Sequence, residues 1–115
     1  MATINNTSIP TANSRTMVSR WALLANGDDG LPASFSQYAD KSVQVTGTFG
    51  LAGTLRFEGS NDGVTYAPLT DPQGNALDFT SAKIKAVTEA TAFFRPRVTG
   101  GDGTTSLTIT LFVRE

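Results

Sequence analysis

The sequence predicts an all-β protein: a single antiparallel β-sandwich or jelly-roll-like domain over residues 14–115, preceded by an extended N-terminal arm over residues 1–13. Three observations carry this. The residue types favour strand and turn, with 11 glycines, 5 prolines and frequent Thr, Val and Phe, and few uninterrupted runs of good helix formers. Two segments, SVQVTGTF at 42–49 and SLTITLFV at 106–113, alternate apolar and polar residues with the period of a half-buried strand. Turn chemistry recurs every 8 to 14 residues or so, the spacing of sandwiches and barrels. At 115 residues the chain supports one core and one domain, and it carries no internal repeat of solenoid length.

The elements follow in order. MATINNTSIPTAN has no periodicity, and Ile4 and Ile9 stand out in it as isolated apolar residues. It reads as a frayed end or as an arm that orders against a neighbouring subunit through Ile4, Ile9 and Pro10. TMVSRWALL at 16–24 is expected as a strand with Met17, Trp21 and Leu23 on one face. NGDDG at 26–30 is a loop, and residues 31–40 bring Phe35 and Tyr38 to cap the core. In 42–49, Val43, Val45 and Phe49 share a face. TLRFEGS then runs through the turn Ser60-Asn61-Asp62-Gly63 into a return strand VTYAPL, whose Pro68 marks an edge or an end. Asp71-Pro72-Gln73-Gly74 is a turn with proline at its second position, and LDFT at 77–80 is a short strand. Ser81–Thr91 is the one helix candidate, a turn or two at most, on the three-residue spacing of Ile84 and Val87. FFRPRVT, the turn Gly100-Gly101-Asp102-Gly103 and SLTITLFV form an expected last hairpin. The predicted core is Trp21, Val43, Val45, Phe57, Leu107, Ile109 and Leu111.

Composition removes whole classes of function. Histidine and cysteine are both absent. Thiolate nucleophiles, disulfides, Cys/His zinc sites and the usual neutral-pH general base go with them, so no enzyme activity and no cofactor are expected. Nine basic against ten acidic residues give a net charge of −1, without the excess that neutralising many phosphates requires. No direct nucleic-acid partner is expected. The polar first 14 residues lack the pattern of a secretory signal, and no apolar run nears the roughly 20 residues of a membrane span. Synthesis in a cytoplasm and no membrane partner are the expectations.

Little in the chain resembles a chemical site. Gly100–Gly103 lacks the Lys-Ser/Thr and following helix of a phosphate-binding loop. Asp28, Asp29, Asp62, Asp71 and Asp102 sit in turns, where aspartate bonds nearby backbone. None has calcium-loop spacing, and Asp28 and Asp29 are the best candidates should a hard cation bind. No metal site is expected. Arg95 and Arg97, two apart in an extended segment, face alike. They read either as a solvated sheet face with cross-strand partners such as Glu58 or Glu115, or as a contact for an acidic neighbouring chain, which the planar guanidinium suits.

Ser60-x-Asp62-Gly63-x-x-Tyr66 resembles turns of discoidin-like carbohydrate-binding sandwiches, and falls one residue short of the sialidase Asp-box. Taken together, VQVTGTFG, EGSNDG, LTDPQGNAL, RPRVTGGDG and the final alternating strand resemble a family of small virion proteins of tailed bacteriophages, over residues 16–115. That resemblance implies a non-enzymatic structural protein that decorates or cements the capsid surface. It also implies the major capsid protein as partner and location in the virion. Self-association as a trimer is expected with it. A tail, neck or head–tail connecting subunit is the alternative, and a carbohydrate-binding module on the virion surface a further one.

Overall fold

The computed structural model describes residues 2–35 and 37–115. It is an all-β sandwich of two sheets, built from eleven strands. These are β1 (Thr3–Ile4), β2 (Asn6–Ile9), β3 (Thr16–Leu24), β4 (Asp29–Gly30), β5 (Asp40–Thr48), β6 (Thr54–Ser60), β7 (Ala67–Pro68), β8 (Asp78–Phe79), β9 (Lys83–Ala86), β10 (Phe93–Gly100) and β11 (Ser106–Arg114). The first sheet runs β1-β4-β10-β6-β7, with β8 also paired to β6. The second runs β2-β3-β11-β5-β9. Every named pairing is antiparallel except that of β1 with β4. No helix among the described residues is long and apolar enough to cross a membrane.

The core lies between the sheets where the period-two pattern places it. All seven predicted core residues have no exposed surface, and Leu24, Leu55, Leu77, Phe79, Phe94 and Val113 join them. Trp21 meets Phe57 edge-on at 6.3 Å, and Phe57 stacks with Phe94 at 6.2 Å. The indole N–H of Trp21 donates to the Leu31 carbonyl at 2.9 Å, which satisfies the one polar atom this residue buries. Gly30 lies against Trp21, leaving no room there for a side chain: a Cβ would stand 2.6 Å from Trp21 Cδ1 and from Pro96 Cδ. Phe35 is buried and Tyr38 packs at the rim, with their rings 6.2 Å apart, so this segment does cap the core.

Several local expectations are corrected. Leu23 does not face inward. Two residues of β3, Ala22 and Leu23, oppose the single Thr108 of β11, and Leu23 takes a φ of 61°. This bulge turns Leu23 out to 70% exposure and hands its inward place to Leu24. The helix candidate is replaced by strand β9, because the edge of β5 offers ladder partners to Lys83–Ala86 and an isolated helical turn has little to hold it. The last hairpin is absent. β10 and β11 belong to opposite sheets, and the glycine-rich loop carries the chain across, so that Phe94, Pro96 and Val98 oppose the inward face of β11 instead of extending it. The return strand after Gly63 shrinks to Ala67–Pro68, at the outer edge of its sheet.

The first residues lie along the chain's own sandwich. β1 adds to the first sheet beside β4, β2 to the second beside β3, and the chain steps between sheets at Asn5. Ala2 donates its N–H to Asp28 Oδ1 at 2.9 Å, and Ile4 packs against the core.

Candidate interaction surfaces

Alternation gives the two sheets outer faces of opposite character. On the first, Arg95 and Arg97 of β10 point outward with the buried Pro96 between them. Arg95 Nε donates to Glu58 Oε1 at 3.0 Å, its Nη1 lies 3.7 Å from Asp29 Oδ2, and its guanidinium stacks 3.9 Å above the Tyr66 ring. Arg97 Nη1 lies 3.6 Å from the second oxygen of Glu58. Arg56 pairs with Asp78 at 2.9 Å, and the carboxylate raises the guanidinium's already high pKa further. Three arginines thus face three acids on one surface, each with a partner. Glu58 is the pivot, with its side chain only 4% exposed between two guanidinium groups. Of the pair singled out in the sequence, Arg97 retains the accessible group, with half its side chain exposed against 22% for Arg95. Burial raises the pKa of the Tyr66 hydroxyl, which has no hydrogen-bond partner among the described residues.

The outer face of the second sheet has few charges. Register places Ile9, Val18, Phe112, Ser42 and Ala86 side by side, one from each of β2, β3, β11, β5 and β9. The row above it is Thr7, Arg20, Thr110, Gln44 and Ile84. Ile84 is 63% and Phe112 37% exposed. Phe112, Ser42 and Ala86 floor a groove of about 470 Å³, walled by Pro72 and Val87 and closed by the ion pair of Arg114 with Asp40 at 2.8 Å. The adjacent edge strand β9 turns Lys85 inward, its ammonium 5.3 Å from the centre of the Phe79 ring. An inward lysine of this kind discourages strand addition at an edge.

The five residues named from sequence therefore divide. Ile4 turns inward to the core, Ile9 joins the apolar row, Pro10 is exposed just beyond β2, and Arg95 and Arg97 occupy the opposite face. One link runs from the N-terminal segment to the arginines: Thr3 donates its hydroxyl to Asp29 at 2.8 Å, and Asp29 neighbours Arg95. Phe112 was missed, although alternation that puts Leu111 and Val113 inward leaves an aromatic facing out. Lys41 was missed too, although it shares the inward register of Val43 and Val45.

The turn aspartates bond backbone as their type suggests. Asp62 Oδ1 accepts from Val64 and Thr65, Asp71 from Gln73 and Asn75, Asp102 from Leu51 and Thr104, and Asp28 from Ala2 and Ala25. At Asp62 and Asp102 such bonds favour the ionised form. The backbone N–H groups of Thr65 and Val64 and the Ser60 hydroxyl hold Asp62 down to about 2; the Thr104 hydroxyl and the N–H groups of Leu51 and Thr104 do the same for Asp102. Asp29 differs, being committed to Thr3 and Arg95.

The fold has a close counterpart. The crystal structure of the SPBc2 prophage-derived protein YomS superposes with a TM-score of 0.66, covering 92% of this chain and all of that one, at 9% sequence identity. At that identity the likeness speaks for the sandwich itself. No family model matches the sequence, and no curated protein matches it.

Proposed function

We propose that this chain is a virion structural protein of a tailed bacteriophage, one that decorates the outside of the capsid by binding the lattice of the major capsid protein. The observation that carries this is the charge-poor outer face of the second sheet, with its apolar row from Ile9 to Ala86 and the groove floored by Phe112. An aromatic set in a groove with a polar rim is the anatomy of a protein contact. The prophage origin of YomS, which shares the fold over its whole length, supports placing the chain among phage proteins. The resemblance of residues 16–115 to small virion proteins points the same way.

No bond is made or broken in this role. A subunit that binds only assembled lattice stabilises it by mass action, by about 2.7 kcal/mol per site at a hundredfold excess over its dissociation constant. Association as a trimer at local threefold positions would add avidity. The test compares particles carrying and lacking the protein, heated while DNA release is followed. Decorated particles should release DNA at the higher temperature, and Phe112→Ala should weaken occupancy about tenfold, the loss of one central aromatic contact. Equal release temperatures at full occupancy, or density found on the tail or neck, would overturn the assignment.

A further inference from the structure

Lys41 is the first inward residue of β5, where its partner across the ladder is the buried Val113. Only 5% of the residue is exposed. Its ammonium carries three N–H donors. Among the described residues it makes one hydrogen bond, to the Ala39 carbonyl at 3.2 Å, and lies 5.4 Å from the centre of the Phe94 ring. No described carboxylate pairs with it, and the neighbouring Asp40 points to the other face and is held by Arg114. An unpaired buried cation is costly, and a methionine or leucine would fill the same space at less cost. Beside it opens a pocket of about 210 Å³ lined by Phe35, Tyr38, Ala90, Thr91, Ala92 and Phe94.

From this juxtaposition of a buried, underused ammonium with an aromatic-walled pocket, we infer that the end of the sandwich binds a small apolar monocarboxylate. The carboxylate takes the N–H donors of Lys41 that no described residue engages, and its apolar body lies against Phe35, Tyr38 and Ala92. A phosphate is a poor match, because it needs several donors and the pocket supplies one cation. The volume suits an aryl or branched-chain acid, either free or as the last residue of a polypeptide with its C-terminal carboxylate. Thr91 donates its hydroxyl proton to the Phe93 carbonyl at 2.8 Å, so the donors for the anion come from Lys41. Burial holds the Lys41 pKa below the ordinary lysine value, and a bound anion would raise it.

The test is an NMR titration of the full chain with benzoate, with benzamide as neutral isostere, and with acetyl-Gly-Phe bearing either a free or an amidated C-terminus. Only three lysines are present, so their side-chain Cε signals are readily assigned. Benzoate should shift the Lys41 Cε and Phe94 ring signals, raise the Lys41 titration midpoint and bind at least tenfold more tightly than benzamide. Preference for the free-acid peptide over the amidated one would identify a chain terminus as the source, and binding of benzoate alone a free organic acid. Lys41→Met should keep the fold and lose benzoate at least tenfold. Equal affinity for benzoate and benzamide, an unmoved Lys41 midpoint in the wild-type chain, or full benzoate binding by Lys41→Met would each overturn the inference. The wild-type readouts decide the matter even if Lys41→Met does not fold.

Discussion

Ile109→Ala and Phe112→Ala remove apolar groups from the same strand three residues apart, on opposite faces. Ile109 has no exposed surface and sits between Trp21 and Val45 across the two ladders of β11. Truncation removes three buried carbons, about 2.4 kcal/mol at roughly 0.8 each. The side chains around the site are held by both sheets, so relaxation is limited. A residual cavity of roughly 50 Å³ at about 24 cal/mol per Å³ adds about 1.2 kcal/mol. The expected loss is thus about 3.6 kcal/mol. Phe112 opens on the groove and is 37% exposed; its truncation leaves no closed cavity, and a loss near 1 kcal/mol is expected. Urea unfolding followed by Trp21 fluorescence reads both. With a slope of about 1.3 kcal/mol per molar for a chain of this size, Ile109→Ala should lower the midpoint by about 2.8 M and Phe112→Ala by under 1 M. A loss below about 0.5 kcal/mol for Ile109→Ala, or a larger loss for Phe112→Ala, would mean that the faces of β11 are reversed. The groove assigned to partner binding would then fall with them.

Gly30→Ala should cost about 1–3 kcal/mol in the same assay, because the new methyl meets Trp21 and Pro96 at 2.6 Å and neither can swing away; an unchanged midpoint would show slack in that corner. Deleting residues 2–9 should cost about 2–3 kcal/mol and lower Tm by about 10 °C, since it uncovers the edge of β3, strips Asp28 of a donor and removes Ile4 from the core. Melting unchanged by the deletion would argue that this segment is not docked on its own domain in solution. Acid should destabilise the fold through its turns. Asp62 and Asp102 bind a proton at about 2 when folded and near 3.9 when unfolded, so the unfolded chain takes up protons first as pH falls. Their stabilisation is present above pH 4 or so and disappears between about 4 and 2. The double variant Asp62→Asn, Asp102→Asn should flatten that part of the pH profile, and parallel profiles for variant and wild type would remove these carboxylates from the account.

The fold class and the core were legible in the amino-acid sequence because both rest on local rules. Alternation in 42–49 and 106–113 identified the inward residues, and Gly, Asn and Asp marked the turns, whose backbone N–H groups the aspartates bond. Charge and residue type excluded chemistries in the same local way, since a side chain that is absent supplies no ligand or base. What local rules could not decide was partnership. Whether β10 pairs with β11 or opposes it depends on where two long apolar faces find a complement, and only the assembled core settled that they face each other. The same holds for Ser81–Thr91, whose weak intrinsic preference gave way to the open edge of β5. Leu23 left its expected face because one extra residue in β3 had to be absorbed where β11 offered a single partner. The apolar row and the Lys41 pocket are tertiary facts for the same reason. The row gathers residues from five strands and the pocket from two distant stretches, 35–41 and 90–94, and only the packing of those segments brings their side chains to one place.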